Sequence, residues 1–290
     1  MKHTFIFALA IALFATSCSG NGNSKTNTTA HTDTVTVMPP MPIPTRQGWN
    51  QELPALNGDV EQVIVTQYFV GTTSLEMKDI YKFNLRGDVV EKIEYDGNTP
   101  WNTCRYTYDT EGKMTEEAWF KSDNSLDWRA LYTYHSDKGF IDEKSLNSNG
   151  EVRSISLRRY NTDWKVADEA NYDSEGVLQS TIFYQYDSNG NLTEEAGYFG
   201  NGVMEYKYRF ERDTNGRIIE MKECDIDNRP IRHIAYSYNS QGRLSEEIVH
   251  DDNGVESKWL YRYDTRGNVV KIEPTEKRNI VTEFRIKYRK

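Results

Sequence analysis

The feature that most constrains this chain is a unit that recurs along most of its length. YTYDTEGKMTEEAWF at 106 to 120, YQYDSNGNLTEEAGYF at 184 to 199, YSYNSQGRLSEEIVH at 236 to 250 and YRYDTRGNVVKIE at 261 to 273 are copies of one pattern. With the turn glycine as marker, the copies fall at Gly87, Gly112, Gly139, Gly190, Gly216, Gly242 and Gly267, with Trp164 in the glycine slot of RYNTDWKVADEANY. The steps of 25, 27, 25, 26, 26, 26 and 25 residues define eight tandem repeats of about 26 residues. Gly58, Val60 and Val63 to Val65 read as half a unit at the front, and Val281 to Tyr288 as a closing strand at the back.

Inside a unit, Tyr-x-Tyr-Asp alternates with the period of a strand. Asp-x-x-Gly is a turn in which Asp caps the backbone and Gly takes the positive φ of a three-residue hairpin loop. The expectation is therefore all-β: tandem two-stranded repeats in a long antiparallel meander, with no helix after the leader. Strand twist accumulates, so sixteen or more strands should curl into a solenoid-like or partly closed sheet with its tyrosine face inward. The loop predicts cross-strand pairs Tyr108 with Met114, Tyr186 with Leu192, Tyr238 with Leu244 and Tyr263 with Val269. Continued by strict alternation, it also predicts Tyr106 with Glu116, Tyr184 with Glu194 and Tyr236 with Glu246. Composition supports tyrosine as packing material, since the chain has 19 tyrosines while hydrophobic residues total only 37%.

The N-terminus reads differently. Lys2, an apolar run from Phe5 to Phe14 and the small residues Ala15, Thr16 and Ser17 describe a signal peptide over 1–17, too short to span a bilayer as a helix. Ala15-Thr16-Ser17-Cys18 resembles a bacterial lipobox, with Ala15 where Leu is usual, and makes Cys18 the expected site of lipid attachment. Residues 18–57 are rich in Asn, Thr and Pro and read as a tether, leaving 58–290 as the repeat domain. This organisation implies an outer membrane lipoprotein, periplasm-facing or surface-facing. Cys104 and Cys224 lie four repeats apart, on the order of 40 Å at about 4.8 Å per strand, too far for a disulfide unless the array closes on itself.

A net charge of −9 argues against a nucleic-acid partner. No nucleophile, metal or phosphate motif is found, so no enzyme activity, cofactor or metal is expected. The acids Glu91, Glu116, Glu143, Asp168, Glu194, Glu220 and Glu246 form a column about 10 Å apart, too sparse for paired carboxylate catalysis or a calcium shell. They are better explained as partners of Tyr hydroxyls or of Lys and Arg. Departures from the repeat and loop-side aromatics are the better binding candidates: Trp101, Trp119, Trp128, Trp164, Tyr184, Tyr198, Tyr236 and Trp259. His135, His233 and His250 are scattered.

Over roughly residues 75 to 273, the unit Y-x-Y-D-x-x-G-x-L resembles the YD repeat of Rhs and teneurin-like proteins. The resemblance implies a long curling β-sheet, which in large members forms a shell around a toxin and has been associated with carbohydrate binding. This chain is short and carries no C-terminal toxin domain. With its leader it looks like the repeat lipoproteins of Bacteroidetes, though an acidic export tract is not evident in Ser19 to Asn23. The functional expectation is a lipid-anchored, non-catalytic binding or adhesion scaffold for glycan or envelope protein. The alternatives are a structural or envelope-assembly lipoprotein without small ligand, or an accessory to a polymorphic-toxin system.

Overall fold

A computed structural model describes residues 53–72, 74–251, 256–276 and 279–290. The expected signal peptide, the expected lipid-attachment site at Cys18 and most of the expected tether lie outside these residues. The described residues are all-β, in eighteen strands. The first nine are β1 (Val60–Phe69), β2 (Leu75–Phe83), β3 (Val89–Asp96), β4 (Thr99–Tyr108), β5 (Met114–Lys121), β6 (Leu126–His135), β7 (Phe140–Asn147), β8 (Val152–Tyr160) and β9 (Val166–Asp173). The second nine are β10 (Leu178–Tyr186), β11 (Leu192–Phe199), β12 (Met204–Arg212), β13 (Ile218–Cys224), β14 (Pro230–Tyr238), β15 (Leu244–Asp251), β16 (Glu256–Tyr263), β17 (Val269–Pro274) and β18 (Ile280–Tyr288).

Each strand pairs antiparallel with the next in the chain, and β18 pairs with β1. The sheet therefore closes completely into a barrel, where the sequence left closure open. The eight repeats supply β2 to β17, each as a hairpin around its marker residue. The remaining two strands make a ninth repeat split between the chain ends. Tyr288 faces Val60 as Tyr108 faces Met114, and the Arg289 amide donates to the Asp59 carbonyl as the Asp109 amide does to Lys113. Gly58 takes the left-handed φ of 88° that the other marker glycines take. Residues ahead of Gly58, expected as tether, join the fold: Leu53 is buried in the cluster of Val60, Val63, Val65, Tyr81 and Phe284, and Asn57 exchanges hydrogen bonds with the Asn268 side chain.

The turn chemistry follows the sequence. In the first full copy the Asp109 carboxylate accepts from the Lys113 amide at 2.8 Å, while Gly112 takes φ 86°. Trp164 adopts the same left-handed conformation, at φ 56°, with its ring 5.9 Å from that of Tyr160. The predicted pairs nearest the turn, Tyr108 with Met114, Tyr186 with Leu192, Tyr238 with Leu244 and Tyr263 with Val269, are present.

The next pairs need correcting. Tyr106 faces Glu117, Tyr184 faces Glu195 and Tyr236 faces Glu247, because a β-bulge follows each tight turn and advances the second strand by one residue. The bulge reverses which acid of Thr-Glu-Glu points inward. Glu143 keeps its expected place, since the turn around Gly139 pairs Tyr134 with Ile141 and carries no bulge.

The inner, tyrosine-bearing face changes character around the ring. Two apolar clusters fill it, one over β1 to β3 with β17 and β18, the other over β12 to β15. Over β7 to β10 it is polar instead: Ser156 donates to Asn171 at 2.6 Å, and Asn171 to Ser180 at 3.0 Å. Eighteen strands enclose more room than side chains fill, so the barrel surrounds a lumen. Cys104 and Cys224 are both buried free thiols, although the array closes on itself.

Candidate functional site

The barrel has two chemically different rims. At the rim of the tight YD turns, the second Tyr of one repeat is clamped against the repeat before it. Its hydroxyl donates to a backbone carbonyl there: Tyr108 to Val89 at 2.7 Å, Tyr134 to Met114 at 2.9 Å, Tyr186 to Val166 at 2.8 Å, Tyr238 to Ile218 at 2.6 Å and Tyr263 to Leu244 at 2.7 Å. A cation from the earlier repeat lies over each ring, Arg86, Lys113, Lys165, Arg217 and Arg243 in turn, and Arg266 lies 3.9 Å from the ring of Tyr288 in the split repeat. Arg86 also donates to the Gly112 carbonyl and Lys165 to that of Gly190, so this rim is tied turn to turn. Burial raises the phenol of Tyr186 to about 12, as expected of a neutral hydrogen-bond donor away from water.

Deeper in the barrel, inward tyrosines meet the inward acids. Tyr132 donates to Glu117 at 3.3 Å, Tyr184 to Glu169 at 3.1 Å, Tyr206 to Glu195 at 3.0 Å and Tyr261 to Glu247 at 2.8 Å. Arg158 holds Glu169 through two hydrogen bonds of 2.9 and 3.2 Å. Burial pushes the carboxyls of Glu143, Glu195 and Glu247 above their ordinary range. These acids are therefore partners of tyrosine, as the sequence suggested for the column, although the bulge substitutes Glu117, Glu169, Glu195 and Glu247 for the neighbours expected. Among the described residues no group of three His, Cys, Asp or Glu is arranged to hold a metal ion. The outward acids pair with cations instead: Glu116 with Arg129, Asp168 with Arg159, Glu194 with Arg209 and Lys207, and Glu246 with Lys258.

At the opposite rim, where one repeat passes to the next, large apolar side chains stand in solvent. Phe69, Trp101, Val152, Val177, Leu178, Phe199, Val203, Ile226 and Ile231 all sit at or beside these inter-repeat turns, and Ile226 is 72% exposed. The tight-turn rim exposes only Leu85 and Ile219 among the described large apolar residues. Sequence reasoning pointed to inter-repeat turns through their tryptophans and missed the aliphatic residues beside them, which look like ordinary strand residues until the register shows that nothing covers them.

The sequence-selected aromatics are dispersed. Trp101, 59% exposed, is on the inter-repeat rim. Trp119 and Trp128 stack at 5.9 Å on the inner face, where the Trp119 indole donates to Glu117 at 2.6 Å. Trp164 is in a tight turn at the other rim, Tyr184 lies in the Tyr–Glu ladder, and Tyr236 and Trp259 belong to an apolar cluster. Tyr198 is on the outer wall, edge-on to Phe183 at 5.8 Å. The structure brings Trp119 and Trp128 together and leaves the others separate, so they do not form one shared site. His233 and His250 stack at 4.3 Å, and His135 contacts Asp142 at 2.6 Å.

Tandem hairpins, a Tyr-Asp turn and clamped neighbouring repeats make the chain similar to the YD-repeat proteins of the Rhs and teneurin-like type. The Teneurin YD-shell family model matches residues 148–285. No curated protein matches it. Among solved structures it is similar to a porin-like protein from Bacteroides uniformis at 10% identity and a TM-score of 0.45, covering 79% of this chain and 98% of that one. A porin-like protein from Bacteroides vulgatus gives 11% identity and a TM-score of 0.23, over 80% and 99%. A Tc holotoxin pore structure of Photorhabdus luminescens gives 14% identity and a TM-score of 0.23, over 74% of this chain and 15% of that one.

Proposed function

We propose that this YD-repeat scaffold is a lipid-anchored, non-catalytic binding module of the cell envelope that recognises protein through its inter-repeat rim. The observation that carries this reading is the segregation of exposed apolar side chains to that rim, on turns displayed by a closed and tightly clamped frame. The rim is mainly aliphatic, with Trp101 and two phenylalanines, which suits a protein surface better than the aromatic platform a glycan needs. Of the tyrosines singled out for sugar stacking, Tyr184 is engaged with Glu169, Tyr236 is packed in an apolar cluster and Tyr198 lies edge-on to Phe183.

Two further observations support attachment to a membrane rather than insertion into it. The outer wall carries ion pairs such as Lys82 with Glu91 and Arg262 with Glu273, whereas a lipid-spanning barrel presents an apolar band all round. The chain enters β1 from the tight-turn rim, so a tether from Cys18 reaches the barrel at the end opposite the apolar one. The test is a pull-down of envelope proteins together with a glycan array, using the full chain. A saturable protein ligand lost in Trp101→Ala and Ile226→Ser variants supports the reading. Saturable glycan binding, or silence in both assays, overturns it.

A further inference from the structure

The two rims differ in charge as well as in apolarity. Six successive inter-repeat turns, at 96–101, 121–127, 147–153, 173–179, 199–205 and 225–231, carry nine acids and only three cations, Lys121, Arg153 and Arg229. Over the eight tight turns, from 84–88 to 264–268, eight acids stand with seven cations, so that rim is close to neutral. Each of the six inter-repeat turns has an exposed acid at or beside it: Asp96, Asp123, Glu151, Glu175, Glu205 and Asp227 in turn. Arg105, Lys207 and Arg209 reach this rim from the outer wall, at Asn124 and Asn228. They lie beside two carboxylates, Glu91 and Glu194, and so offset little of the excess.

Acid and apolar side chain are also interleaved. In the four turns between β7 and β14, exposed Glu151 precedes exposed Val152, Glu175 stands two residues before Val177, Val203 two before Glu205, and Ile226 next to Asp227. The same short pairing therefore recurs at each step around this arc.

We infer that the partner of this rim is a basic segment of protein, with Lys or Arg side chains laid one to a turn. The inference rests on the rim reading proposed above and names the chemistry that the rim selects. A Lys or Arg side chain is an apolar stem with a cationic head. An aliphatic side chain and a carboxylate one or two residues away meet both parts at once. Successive turns are two strands, roughly 10 Å, apart, so cations seated one to a turn stand about a Debye length from each other and repel little. The same acids disfavour the anionic headgroups of a lipid surface, which an apolar rim alone would admit.

The test uses the full-length chain in non-ionic detergent and three synthetic peptides, repeats of Lys-Leu-Ser, Glu-Leu-Ser and Lys-Ser-Ser. The first should bind saturably, the second not at all, and the third roughly tenfold more weakly, as should the first on an Ile226→Ser chain. Glu175→Lys combined with Asp227→Lys should weaken the first peptide roughly tenfold, and so should raising the salt from about 0.05 to 0.5 M. The neutral pair Glu175→Gln and Asp227→Asn should fall between. Glu111→Lys, the same reversal on the tight-turn rim, should leave binding and the circular dichroism spectrum unchanged. The inference is overturned if the Lys-Leu-Ser peptide does not bind, if the Glu-Leu-Ser peptide binds as tightly, if Glu111→Lys weakens binding as much, or if phosphatidylglycerol vesicles take the rim in the peptide's place. An envelope protein that depends on Ile226 but is indifferent to salt and to both charge variants would sink the basic partner and keep the rim. Loss of all dependence on Ile226 would sink both.

Discussion

The split ninth repeat makes closure testable through Phe284, which is 8% exposed on β18 and faces Val65 of β1. Truncating a buried Phe to Ala removes its transfer free energy and leaves a cavity, a loss of about 3 to 5 kcal/mol. Whole domains are stable by only about 5 to 15 kcal/mol, so this is a large fraction of the total. No hairpin loop holds β18 to β1, so a weakened seam also threatens the burial of Val60, Val63 and Val65. With a urea m-value near 3 kcal/mol/M, the midpoint should fall by roughly 1 to 1.7 M. Phe210, also 8% exposed but held in the continuous repeats, gives the comparison. If the ring unfolds as one unit, Phe284→Ala and Phe210→Ala lower the midpoint alike, each in a single transition. Hydrogen exchange should then show β1 and β9 amides deprotected together. A drop below about 1 kcal/mol, or faster exchange confined to β1 and β18 at an unchanged midpoint, would refute closure as part of the cooperative fold.

Three further outcomes follow from the repeat chemistry. Tyr238→Phe deletes the hydroxyl donated to the Ile218 carbonyl and should cost about 1 kcal/mol in chemical denaturation, with the ring packing kept. Gly197→Ala places a methyl 2.3 Å from the Tyr206 ring and should cost about 1 to 3 kcal/mol by overpacking, read as a lowered melting temperature. Glu143, Glu195 and Glu247 have folded pKa values raised by burial, so the folded state holds their protons more tightly than the unfolded chain. Their destabilisation is full above the folded pKa and relieved as pH falls through it toward the ordinary carboxylate range. The urea midpoint should therefore rise between pH 7 and pH 5, and a triple Glu→Gln variant should lose that rise. The turn acids Asp187 and Asp213, held low by hydrogen bonds from Asn191 and Arg217, act in the opposite sense and only below the ordinary carboxylate range.

What could be read from the sequence was local. Repeat count, turn type and the pair nearest each turn depend on Asp, Gly and Tyr at fixed offsets within one unit, and they stand in the structure. The inward acid was misplaced by one residue because Thr115 and its equivalents leave no mark of a bulge in the sequence, and a single extra residue exchanges the two faces of everything beyond it. Closure was half visible, in Gly58 and in the strand ending at Tyr288. That these halves complete each other depends on strand twist summed around eighteen strands, which no local pattern carries. The exposed apolar residues were hidden for the same reason. Leu157 and Phe183 occupy strand positions as ordinary as those of Val63 and Phe284, and only the ring's register turns one pair outward and the other inward. In a repeat fold the consensus thus specifies the frame, and candidate surfaces emerge where the frame leaves apolar side chains uncovered.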